Sequence, residues 1–191
     1  MKFTYRQTLL AVFLLGIVCT GGSFFAQYVM GLNPCPLCIL QRVAVMSVML
    51  VSGLCLLLPT AKRGGRMFAA LLVSLPALWG LYVASYQVWL QSLPAGEQPS
   101  CGAPWTFRLK DWPLFDWWRF VVDGFGNCGV REYVMGVPLP VWSLMFFGSV
   151  LLIVWGMLFK LRRSYPDNWK GRLKTVFRVS DGLLIAPDNQ P

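Results

Sequence analysis

"NPCPLCILQR", residues 33–42, sets two cysteines three positions apart among prolines and places an arginine four residues beyond the second. Residues 43–61 then pass without one Asp, Glu, Lys or Arg. Pro34 and Pro36 keep the preceding chain out of a helix, so a new helix is expected to start near Cys38. The charge-free run is close to the ~20 residues that cross a bilayer. A Cys-x-x-Cys pair and a cation therefore stand at the mouth of a membrane span.

Three further runs, 7–41, 67–96 and 133–159, also lack charge. With 56% apolar residues, 15% aromatics and a mean hydropathy of +0.56, the chain holds more apolar surface than one soluble core of 191 residues needs. The expected fold is an all-α membrane protein, a bundle of four transmembrane helices over about 9–30, 39–58, 68–90 and 138–159. The first run is read as a retained helix. It is too long for a signal peptide, and Ile17 and Val18 precede Cys19 where a lipoprotein site wants small residues.

The net charge of +9 would suggest nucleic acid in a soluble protein, but its distribution points to membrane topology instead. Lys2 and Arg6 precede the first span, Lys62, Arg63 and Arg66 separate the second and third, and seven basic residues from Lys160 to Arg178 follow the fourth. The segment 91–136 sets four basic residues against five acidic ones, a balance of −1. By the positive-inside rule both termini are expected in the cytoplasm, with residues 33–42 and 91–136 together on the outer face. The expected organisation is a four-helix transmembrane domain over 1–163 and a basic cytoplasmic tail over 164–191, attracted to the membrane surface.

The outer loop 91–136 is too long for a plain connection. Within "LKDWPLFDWWRFVVDGFG", residues 109–126, Asp116, Arg119 and Asp123 follow one helical stripe and Leu114, Trp118, Val121 and Phe125 another. A short amphipathic helix is expected, lying on the outer leaflet through Trp112, Trp117 and Trp118 or packing its aromatics on the top of the bundle.

Six cysteines and no histidine leave thiol chemistry as the available chemistry. Haem or zinc held by histidine and Cys–His nucleophiles are excluded. No carboxylate falls within an expected span, which argues against a proton relay or cation transporter. Cys35, Cys38, Cys101 and Cys128 share the outer face, where an oxidising compartment permits disulfides. Cys19 and Cys55 are expected to be inert core residues, and a four-cysteine metal site finds no zinc-ribbon turn to support it. Cys38 would sit in the first turn of the second helix, where the helix dipole and Arg42 at i+4 stabilise a thiolate. Alternatively, Arg42 simply snorkels to the interface.

Four spans, "CPLC" with "ILQR" behind it at the outer start of the second, and a later cysteine pair in the second outer loop resemble the DsbB family of bacterial inner-membrane disulfide bond formation proteins. The resemblance covers about residues 10–160. It implies a protein dithiol:quinone oxidoreductase without a metal, with ubiquinone or menaquinone as electron sink and a periplasmic DsbA-like thioredoxin-fold protein as partner. Cys101 would then be attacked by that partner with Cys128 as its mate, Cys35 would exchange with the loop pair, and Cys38 would face a quinone held by Arg42. Gln41 stands where family members often carry an acidic residue, and no role is carried over to it. A vitamin K epoxide reductase-like enzyme is the neighbouring alternative, but there the loop pair precedes the Cys-x-x-Cys. A scaffold merely stapled by disulfides would not explain Arg42 below Cys38.

Overall fold

The computed structural model describes residues 4–60, 63–94, 96–99, 101–112 and 115–164. The expected tail beyond Ser164, together with Lys2, Lys62 and Leu114, lies outside them. Residues 4–158 belong to one compact unit; of the second unit, from Phe159 on, the described part is the end of the last helix. In chain order the elements are α1 (Tyr5–Tyr28), α2 (Pro36–Cys55), α3 (Arg63–Ser92), the single turn α4 (Trp105–Arg108), α5 (Phe115–Val122), a two-stranded hairpin of β1 (Tyr133–Val134) and β2 (Val137–Pro138), and α6 (Leu139–Ser164). Helices α1, α2, α3 and α6 are each long and apolar enough to cross a membrane.

Boundaries move where capping overrides hydropathy. The α1 helix begins at Tyr5 rather than near residue 9 because the Gln7 side chain accepts the Thr4 N–H at 2.9 Å, closing an otherwise open helix end. The α2 helix begins at Pro36, whose missing N–H costs nothing in the first position. The 30 residues of α3 span about 45 Å at 1.5 Å per residue, more than the ~30 Å hydrocarbon layer. Its surplus length lets α3 carry polar residues to the end of the bundle that holds the cysteines.

The bundle turns apolar side chains outward as well as inward, as a lipid-facing surface requires. Leu14, Ile17, Leu50, Leu54, Leu71, Leu75, Leu152 and Ile153 are all exposed. Internal contacts rely on small residues. Gly80 of α3 leaves the space taken by the fully buried Phe147 ring of α6, and Gly16 of α1 lies against Met49 of α2. Pro76 interrupts the α3 backbone ladder, and two residues earlier the Ser74 hydroxyl bonds the Ala70 carbonyl while accepting the Trp155 indole N–H of α6 at 2.9 Å.

The loop helix α5 is shorter than its sequence pattern implied. It ends at Val122, leaving Asp123 and Phe125 outside, because Gly124 and Gly126 run against the backbone of residues 33–34. A Cβ at either glycine would collide with the carbonyl oxygen of Pro34 or Asn33. The buried side of α5 is Val121 and Val122, packed with Ile39 and Trp105, whereas Trp117, Trp118 and Phe125 are exposed. The valines, rather than the tryptophans, attach α5 to the bundle.

Gly80→Ala is expected to destabilise the protein by about 1–3 kcal/mol, because even one methyl overlaps the Phe147 ring. Thermal unfolding in detergent measures this, and Gly80→Ala combined with Phe147→Leu should regain part of the loss.

Candidate active site

At the head of α2 the first-turn N–H groups lack helical partners. Cys35, in extended conformation, caps them: its sulfur accepts the Cys38 N–H at 3.3 Å. The same geometry draws the Cys35 thiol to within 2.8 Å of the Cys38 sulfur, to which it donates. That hydrogen bond, reinforced by burial, pushes the Cys35 thiol far above its ordinary pKa. Cys35 therefore holds its proton while the negative charge of the pair belongs on Cys38.

Two amides of the bundle interior complete this turn. The Gln87 Nε2 of α3 donates to both sulfurs, at 3.4 Å to Cys35 and 3.3 Å to Cys38, and its Oε1 accepts from Gln41 Nε2 at 2.6 Å. Both glutamines are buried. Donors aimed at a sulfur in a dry site stabilise it when it carries charge.

Cys101 and Cys128 form a disulfide that closes a 27-residue separation. Cys128 is fully buried against Cys35 and Leu90, with Cys38, Leu37 and Cys101 packed around them. Cys101 remains half-buried, the more accessible sulfur of its pair. Hydrogen bonds from several segments hold the loop on the helix mouth. Gln91 of α3 donates to the carbonyls of Cys128 and Val130 at 3.2 and 3.3 Å. Arg131 returns a 2.6 Å bond to the Gln91 carbonyl. The Phe125 N–H reaches Asn33 Oδ1 at 2.9 Å, and the Trp105 indole reaches the Pro36 carbonyl at 3.0 Å. All four expected cysteines are thus in one cluster, the disulfide seated on the Cys-x-x-Cys turn.

Arg42 does not snorkel. It is buried, with Nε donating to Ser23 Oγ at 2.8 Å, Nη1 to Gln27 Oε1 at 2.6 Å and to the Val121 carbonyl at 3.3 Å, and its guanidinium over the Phe24 ring at 4.7 Å. It remains within electrostatic reach of Cys38. Beside these two residues opens a cavity of about 630 Å³, lined mostly by apolar residues of α1, α2, the hairpin and α6, including Val18, Val45, Trp142 and Phe146. Its polar groups include Cys38, Gln41, Arg42 and Glu132, together with Ser23 and Gln27. Cys19, expected in the core, instead lines this cavity half-buried; Cys55 is buried as expected. Its position on α1 turns Cys19 toward the space beneath the loop rather than into a helix contact.

Residues 5–157 match the family described as Disulfide bond formation protein DsbB. The chain belongs to the DsbB family. A relative named Disulfide bond formation protein B from Neisseria meningitidis serogroup B (strain ATCC BAA-335 / MC58) is 50% identical over 151 residues, 79% of this chain and 93% of that protein. Its counterpart from Marinobacter nauticus is 41% identical over 160 residues, 82% and 94% of the two chains, and that from Acinetobacter baumannii 35% over 167, 87% and 96%. As a DsbB-family protein the chain has a disulfide-forming oxidoreductase role, and its four apolar helices mark it as a multi-pass membrane protein.

For this DsbB family member, sequence reasoning missed Gln87 and Gln91. "QVWLQ", residues 87–91, carried the available signal: two amides one helical turn apart at the end of a charge-free span. Replacing Gln87 by Leu is expected to slow alkylation of Cys38 by iodoacetamide about tenfold in the reduced protein, since a hydrogen bond to a charged group contributes ~1.5–3 kcal/mol. Labelling rates of Cys38 at neutral pH, read by mass spectrometry of the peptide that carries it, measure it.

Proposed function

We propose that the protein reoxidises a periplasmic DsbA-like thioredoxin-fold dithiol protein and passes the electrons to ubiquinone or menaquinone, as a protein dithiol:quinone oxidoreductase. The observation that carries this reading is the continuity of the site: a half-buried disulfide sulfur, a buried sulfur cluster, and an apolar cavity holding a cation. In this reading the cysteine face looks into the periplasm, both termini are cytoplasmic, residues 1–163 form the redox domain and 164–191 a basic tail.

The relay follows from thiol chemistry. A partner thiolate attacks Cys101 and Cys128 leaves as thiolate; the second partner thiol then attacks the mixed disulfide, releasing the oxidised partner and a reduced loop pair. That pair can reduce a Cys35–Cys38 disulfide by a second exchange, in which the buried Cys128–Cys35 contact keeps the reacting sulfurs together. The result is an oxidised loop and a Cys35/Cys38 dithiol, the arrangement described above. Cys35 holds the proton of the dithiol, and Gln87 steadies the charge on Cys38.

The cavity suits a quinone by its chemistry: apolar walls for a flat ring and prenyl tail, and Arg42 as a fixed donor for a carbonyl oxygen. A bound quinone supplies a two-electron, two-proton acceptor soluble in the membrane. Ser23 and Gln27 orient Arg42 before any ligand arrives, so little ordering remains to be done on binding.

Anaerobic mixing of the purified protein with a reduced thioredoxin-like dithiol protein and a soluble ubiquinone analogue tests the proposal by quinone absorbance. Cys38→Ser should abolish quinone loss. Cys101→Ser should leave quinone binding intact and stop oxidation of the dithiol partner. Arg42→Ala should raise the quinone KM by about tenfold or more. No quinone loss with wild type and any dithiol donor would overturn the reading in favour of a stapled scaffold.

A further inference from the structure

The outer loop brings a carboxylate to the cavity that the disulfide relay does not use. Glu132 precedes the hairpin, and its backbone carbonyl accepts the Leu139 N–H at 3.1 Å, where α6 begins. Between these two residues the chain reverses through Met135 and Gly136, both with positive φ, in a turn that pairs Tyr133 with Pro138. The short closed clasp leaves Glu132 little freedom of position. Its side chain faces the Asn33 backbone N–H, lines the cavity, and lies within electrostatic reach of the Cys38 sulfur.

Electron transfer from a dithiol to a quinone also needs protons delivered at the acceptor oxygens. Arg42 can donate a hydrogen bond there but keeps its proton at any physiological pH. Gln27, Gln41, Ser23, Thr20 and Ser143 do not titrate near neutrality. Beyond the redox cysteine, the described lining residues that can exchange a proton are Glu132 and the Cys19 thiol of α1.

We propose that Glu132 is the proton donor for quinone reduction in this cavity, a role that rests on the functional reading above. Two electrons leave the sulfurs as the Cys35–Cys38 bond forms. The Cys35 proton and the Glu132 proton accompany them, a quinone becomes a quinol, and Glu132 is left as carboxylate to be reprotonated from water.

The surroundings of Glu132 suit this task. Burial holds its carboxyl above the usual carboxylate range, an effect partly offset by the Asn33 N–H, so more of the acid form survives towards neutrality. Cys38 of α2 is within its electrostatic reach, and Arg42 of α2 and Cys19 of α1 line the same cavity. Tyr28 of α1 is bonded to the Phe120 carbonyl, Arg131 is directed to Gln91, Tyr133 is exposed, and the cavity-lining residues of α6 carry no ionisable group. The acid form is depleted as pH rises through this raised value, so the rate should fall on the alkaline side.

The experiment uses the full chain in detergent with Glu132→Gln and Glu132→Asp. Reduced protein is mixed with decylubiquinone in stopped flow across pH 5–9. Wild type should slow as pH rises; Glu132→Gln should be about a hundredfold slower at low pH and lose that dependence. Glu132→Asp should restore part of the rate with a displaced profile. Quinone binding, read from quenching of intrinsic tryptophan fluorescence, should stay within about twofold. In quinone-free protein, the pH-dependent infrared band of a protonated carboxyl should disappear in Glu132→Gln. An unchanged pH profile in Glu132→Gln overturns the proposal, as does an equal loss of rate and binding with the profile retained, which would mark Glu132 as a structural clasp. A wild type that reduces no quinone overturns the functional reading along with it, whereas an active wild type with an indifferent Glu132→Gln overturns this inference alone.

Discussion

The head of α2 must satisfy backbone N–H groups that a helix cannot satisfy for itself, and it does so with a sulfur. Because Cys35 caps the turn through its side chain, its thiol is brought beside the sulfur of Cys38 three residues later. The i to i+3 spacing of a cap and the spacing of a Cys-x-x-Cys pair are the same number. Pro36 in the first helical position adds a preset φ and removes one N–H that would compete for the cap. The redox pair is therefore part of the secondary structure of α2.

Everything else in the site is arranged around that turn. Gln87 reaches it from α3, which is long enough to project beyond the hydrocarbon, and Gln41 holds the Gln87 amide in one orientation. The outer loop reaches it from above, with Gly124 and Gly126 permitting backbone to lie on backbone and Cys128 buried beneath. Arg42, one turn below, is held by α1 and by the carbonyl that closes α5. A guanidinium in so apolar a place is costly unless each such partner is in position. Loop, cation and sulfur pair thus depend on one another.

Burial also distinguishes the four sulfurs chemically. Cys101 is the member of the loop pair that a partner outside can approach, Cys128 is enclosed against Cys35, and Cys38 opens to the cavity. In the proposed relay such an order lets electrons travel inward by contact between neighbouring sulfurs. The accessible end meets water and the far end meets apolar space.

Much of this was legible in the chain. Four charge-free runs determined four spans, since each peptide group in a bilayer needs an internal partner and a helix of ~20 apolar residues is the simple way to provide it. Cys35, Cys38 and Arg42 were legible because their spacing is local and a helix converts spacing into geometry. Contacts between distant segments were not. The Gln87 amide lies 49 residues from Cys38, the early end of α5 depends on glycines meeting residues 33–34, and the place of Cys19 and Glu132 on one cavity depends on α1, α2 and the hairpin closing together. By itself the sequence determined the spans, the thiol chemistry and the local turn that pairs two sulfurs. Which amide faces those sulfurs, which loop sulfur is enclosed and which carboxylate shares the cavity were decided only by tertiary packing, because side chains far apart in sequence acquire a common environment only when the helices assemble.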